Sequence, residues 1–93
     1  MITNNTHPSV PPPPGATVDK WRDYDGVPLR GFDGTRRGEH VPIRVVGFQH
    51  ADGHVASSCA YIECPEVEFD SAALRGLAAD ALSAADELDA LSN

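Results

Sequence analysis

Long apolar runs are missing from this 93-residue chain. Nothing in it approaches the roughly 18 consecutive apolar residues that a membrane-spanning helix requires, and Met1 to Val10 lacks the basic start and apolar stretch of a secretory signal. The expectation is a cytoplasmic protein with no membrane partner. Basic residues are scarce as well, seven Lys and Arg against fourteen Asp and Glu, and the resulting net charge of −7 opposes attraction to nucleic acid. Cysteine is limited to Cys59 and Cys64. In a strand rising about 3.3 Å per residue these two would lie roughly 16 Å apart on opposite faces, beyond the reach of a disulfide. Both are therefore read as reduced, Cys59 as a small core residue and Cys64, before Pro65, as the end of a strand.

Signatures of chemistry are also lacking. The run His50-x3-His54-x4-Cys59-x4-Cys64 offers possible metal ligands, but His50 and His54 straddle a turn and the cysteines point apart. His50 and His54 are accordingly read as surface histidines, and neither a metal nor any other cofactor is expected. Ser57, Ser58 and Cys59 sit on no strand-to-helix nucleophile turn and at no activating helix N-terminus, so no enzymatic activity is expected. The glycines of Arg30-Gly31-Phe32-Asp33-Gly34-Thr35-Arg36-Arg37-Gly38 follow neither the dinucleotide nor the P-loop pattern.

What is present divides at residue 15. Residues 1–15 carry Pro8 and the run Pro11–Pro14 among Thr, Asn and Ser, a composition that favours extended polyproline II and reads as a disordered leader. Residues 16–93 form a single small domain. Its size predicts a core worth only about 3–5 kcal/mol, at which a partner chain becomes a reasonable expectation.

Within the domain, Asp25-Gly26 and Asp33-Gly34 signal turns around a short extended run, Val27–Phe32, in which Pro28 argues for an edge strand. Trp21, Leu29 and Phe32 are expected to cover one end of the core. The strongest strand pattern runs from Val41 to Cys64, where Ala51-Asp52-Gly53 suits a three-residue hairpin loop with Gly53 in the left-handed position. If residues 50 and 54 oppose each other, Ile43, Val45 and Gln49 share a face with Tyr61, Cys59 and Val55. Arg44, Val46, Phe48 and His50 then share the other with Ile62, Ala60, Ala56 and His54. Neither face is plainly polar, which implies a sheet covered on both sides.

The last element is a helix of about 20 residues, capped by Asp70 or Ser71 and built on Leu74, Leu77, Ala81, Ala84, Leu88 and Leu91 at alternating spacings of three and four. Ala78, Leu82 and Ala85 widen its apolar face, so that one side can meet the sheet and an adjoining strip can meet a second helix.

Charge is polarised along the chain. Residues 1–50 hold six basic and five acidic residues, whereas from residue 51 onward Arg75 alone faces nine acids. Such polarity can orient a partner or a second copy.

Trp21, the Arg30-Gly31-Phe32-Asp33-Gly34 step, the Val45–Gly53 segment, and the tail pieces Ala73–Ala79 and Ala84–Asp89 resemble small uncharacterised proteins of actinobacteria and their phages, over residues 18–91. The resemblance implies a bacterial or phage cytoplasmic accessory protein and assigns no activity or site residue.

The fold expected from these patterns is α+β: a three-stranded, mostly antiparallel sheet with one C-terminal helix packed on it, in the order β-β-β-α. The function expected is a non-catalytic protein-interaction or regulatory module acting as a homodimer, with Leu77, Ala81, Leu88 and Phe48 as contacts. The rival is a small regulator touching nucleic acid through Arg30, Arg36, Arg37 and Arg44, which requires those arginines to cluster on one surface.

Overall fold

The computed structural model describes residues 10–39, 41–63, 66 and 68–92. The expected α+β architecture is present, with five strands rather than three: β1 (Thr17–Val18), β2 (Arg22–Tyr24), β3 (Val27–Arg37), β4 (Ile43–His50) and β5 (Val55–Ile62), followed by α1 (Ser71–Leu91). The sheet is antiparallel throughout. Its order is β1-β3-β4-β5, and β2 lies beyond β1 along the same edge of β3. The two extra strands have two and three residues, too short to show a period in sequence.

Two turn signals form as expected. Asp25 and Gly26, both at positive φ (53° and 86°), close the β2–β3 hairpin as a two-residue turn. The amide of His50 donates to His54 O at 2.8 Å, and Gly53 at φ 99° turns the β4–β5 loop. The Asp33-Gly34 signal resolves differently. There β3 continues, and Gly34 and Thr35 together oppose the single residue Val45 as a bulge between the pairs Asp33↔Val46 and Arg36↔Arg44. Pro28 does not make β3 an edge strand, because the pairing with β4 begins one residue later, at Leu29↔His50, so the absent N–H costs no ladder bond there.

A second bulge corrects the expected facing of β5. Gln49 pairs with Val55 as anticipated, but Phe48 pairs with Ser57, which leaves Ala56 as an extra residue and flips every side chain beyond it. Ile43 and Val45 therefore oppose Ile62 and Ala60, while Arg44 and Val46 oppose Tyr61 and Cys59. Cys59, expected in the core, is consequently exposed. Cys64 lies outside the described residues.

The helix side of the sheet carries the core. Ile43, Val45 and Ala84 are buried together, with Ala60, Leu77, Ala81, Leu88 and Leu91 packed against them. Phe32, 3% exposed, packs its ring against Gly47, where a Cβ would stand 2.5 Å from the ring. The Asp70 carboxylate accepts from the Ala73 amide at 2.8 Å and so caps α1, as its position predicts. Glu87 of α1 then reaches the β3 bulge, accepting from the Thr35 amide at 3.1 Å and from Arg37 Nη2 at 2.7 Å.

The leader expected to run freely to residue 15 is held to the sheet from its first described residue. Arg30 Nη2 donates to Val10 O at 2.6 Å, Gln49 Nε2 donates to Pro11 O at 3.0 Å, and Pro13 is buried. Residues 1–9 lie outside the described set. Among the described residues no helix is long and apolar enough to cross a membrane.

Candidate functional site

Strand alternation assigns each side chain to one of two faces, and among the described residues only one face is covered. Pairing places Arg30, Phe32, Arg37, Ile43, Val45, Gly47 and Gln49 on the side of α1 and the proline segment. The opposite face presents Gly31, Asp33, Arg36, Arg44, Val46 and Phe48 from β3 and β4, and Ser57, Cys59 and Tyr61 from β5. It forms an open trough of about 500 Å³ whose wall includes Tyr24, Phe48 and Tyr61.

These three aromatics remain 45%, 39% and 55% exposed. Tyr24 meets Phe48 edge to face, with ring centroids 5.9 Å apart and planes at 74°. Arg44 lies over Tyr61, 5.6 Å from the ring centroid. Carboxylates of the same face surround the cations: Glu63 sits 3.4 Å from Arg36 and 3.9 Å from Arg44, and Asp33 sits 3.9 Å from Arg44. All four side chains are 41–60% exposed, so each pair contributes at most about 1 kcal/mol. The loose pairing leaves these charges able to exchange partners.

The expected contact residues do not lie together. Leu77, Ala81 and Leu88 pack on the chain's own sheet, and Phe48 stands on the opposite face. The large apolar helix residues that do face outward are Leu74 and Leu82, 51% and 68% exposed, beside the exposed Ala78 and Ala85. The four arginines of the nucleic-acid reading are likewise divided. Arg30, Arg36 and Arg37 lie on β3 and Arg44 on β4, so Arg30 and Arg37 point to the helix side and Arg36 to the open face beside Arg44. Arg30 and Arg37 are engaged in buried and half-buried contacts with Gln49 and Glu87, and the single basic surface is not formed.

Glu87 is electrostatically distinctive. Burial alone would raise its carboxyl, but hydrogen bonds from Thr35 and Arg37 outweigh that and hold it below its ordinary value. The His54 ring is 3.1 Å from Asp52, whose carboxylate also accepts from the His54 amide at 2.9 Å, and His50 ends β4 across the same turn. That amide bond, followed by the ring contact, lowers the Asp52 carboxyl. Among the described residues no group of three or more His, Cys, Asp or Glu converges on a metal position.

Sequence reasoning missed the Arg30–Gln49 pair, which is 8% and 2% exposed. The available signal was Gln49 on the face assigned to Ile43 and Val45, where a buried amide needs a partner. Arg30 Nε supplies it at 2.8 Å, and the guanidinium stacks 4.5 Å from the Trp21 ring centroid. Comparison with protein-family models, with curated proteins and with solved structures gives no match for this chain.

Proposed function

We propose that this chain is a non-catalytic protein-interaction module that pairs with a second copy of itself across the open sheet face. The observation that carries the reading is the trough bearing Tyr24, Phe48 and Tyr61, which no described residue covers, on a sheet whose other side packs against α1 and the proline segment. Aromatic residues clustered at the centre of a surface, with charged groups at its margin, are the usual composition of a binding patch.

Charge supports a second copy as the occupant. A two-fold interface places the same patch on both sides, so where a self-pairing surface carries charge it needs both signs. Here Arg36 and Arg44 share the face with Asp33 and Glu63, in pairs loose enough to re-form between molecules. Core size points the same way: Phe32, Val41, Ile43, Val45 and Ala84 are the buried hydrophobics among the described residues, a small store of buried apolar area for a free-standing domain.

Light scattering during size-exclusion chromatography tests the reading. The intact chain is expected at twice its monomer mass, and the double substitution Phe48→Ser, Tyr61→Ser is expected to return it to monomer with its circular dichroism unchanged. A monomer at every concentration, or a dimer insensitive to that substitution, overturns the proposal.

A further inference from the structure

Arg30 and Gln49 are buried polar side chains with an unusual pair of acceptors. Arg30 Nε donates to Gln49 Oε1 at 2.8 Å, which turns the Gln49 amide so that Nε2 faces Pro11 O at 3.0 Å and Gly53 O at 3.1 Å. The remaining reach of the guanidinium goes to Val10 O at 2.6 Å, over the Trp21 ring. No carboxylate lies within ion-pair distance of Arg30 among the described residues. Its charge is therefore stabilised by carbonyl dipoles and an indole face.

That combination matches one class of ligand. A polyproline II segment makes no internal hydrogen bonds, so its carbonyls are free for donors placed along it, and its rings suit an aromatic wall. The cradle addresses two consecutive main-chain carbonyls, those of Val10 and Pro11, and leaves the Pro11 and Pro12 rings exposed; at Pro13 the chain turns, and the Pro13 carbonyl accepts from the Ala16 amide at 3.0 Å. Beside the segment, between the β4–β5 loop and the end of α1, lies a cavity of about 700 Å³ that the segment does not fill. The recognition is thus directed at backbone and proline, with room for a longer or bulkier chain.

We propose that the Arg30–Gln49–Trp21 cradle is a binding site for proline-rich peptides in the polyproline II conformation, and that residues 10–12, each followed by proline and so biased to extended backbone, occupy it as a ligand held in cis. The cradle lies on the helix side of the sheet and is independent of pairing across the open face. A proline-rich segment of another protein gains access by displacing residues 10–12, and the attached segment competes at roughly millimolar effective concentration.

The test uses the full chain and a synthetic peptide with the sequence of residues 8–16, alongside the same peptide carrying glycine at positions 11–14. Fluorescence of the single tryptophan, Trp21, reports occupancy. A chain carrying Pro11→Gly and Pro13→Gly, which weakens the cis segment, is expected to bind the proline peptide saturably and at least about tenfold more tightly than the unmodified chain. The glycine peptide is expected to give no saturable response. If the substituted chain loses its circular dichroism, the unmodified chain with excess peptide decides: a saturable response specific to the proline peptide supports the site. Absence of saturation with the proline peptide, or an equal response to both peptides, overturns it. A Trp21 signal that follows protein concentration and ignores peptide also overturns it, assigning the cradle to exchange of segments between copies.

Discussion

Replacing Glu87 with glutamine removes one charge and almost no volume, and the structure states what that charge holds. The carboxylate accepts from the Thr35 amide at 3.1 Å, from the Thr35 hydroxyl, and from Arg37 Nη2 at 2.7 Å. Glu87 and Arg37 are 15% and 17% exposed in their side chains, so the pair is neither dry nor freely solvated. Hydrogen bonds to a charged group contribute about 1.5–3 kcal/mol each, and the glutamine oxygen keeps part of that network while leaving Arg37 without its counter-charge. A net loss of about 2 kcal/mol is expected, a fall in Tm of about 8–16 °C for a domain of this size. The pH dependence follows from the direction of the shift. Because the folded carboxyl titrates below its ordinary value of 4.5, its stabilisation is complete above that value and is lost as pH falls through the lower folded value. Urea unfolding of both chains at pH 7 and at stepwise lower pH measures this directly. The two stabilities are expected to differ by about 2 kcal/mol at pH 7 and to converge in acid. Equal stability at pH 7, or a difference that persists undiminished in acid, refutes the reasoning.

Two glycines give opposite expectations by the same assay. At Gly47 a Cβ would run into the Ser57 carbonyl oxygen and stand 2.5 Å from the Phe32 ring, so Gly47→Ala is expected to cost about 1–3 kcal/mol through displacement of Phe32 and of the β5 backbone. Wild-type stability in that variant would refute the close packing of Phe32 on the sheet. Gly76, inside α1, has nothing within 4 Å of its Cβ position, so Gly76→Ala is expected to stabilise by about 0.5–1 kcal/mol. A loss of stability there would place Gly76 against a contact the free chain does not make.

Legibility in the sequence followed the range of the interaction. The β4–β5 loop and the start of α1 were readable because Gly53 and Asp70 act on neighbours within three residues, the His50 carbonyl and the Ala73 amide. The facing of β5 was not, because its bulge at Ala56 leaves no local mark when both faces of the hairpin are partly apolar. That single residue moved Cys59 and Tyr61 to the open face and brought Ala60 to the core, which changed the candidate site. Strands β1 and β2 were hidden by brevity, and Asp33-Gly34 has the composition of a turn while serving as part of a bulge. The proline segment illustrates the same limit. Its composition predicts extended chain, but its attachment depends on Arg30 and Gln49, 20 and 38 residues away from the carbonyls they hold.

Cys59 offers the most direct measurement of the central claim, because it lies on the open face that the pairing would cover. In a Cys64→Ser background, its alkylation rate is to be followed alongside solution mass over a dilution series. Alkylation is expected to be slow where the mass is doubled and fast once dilution yields monomer. A rate that stays fast while the mass is doubled, or a mass that never doubles, would contradict pairing through this face.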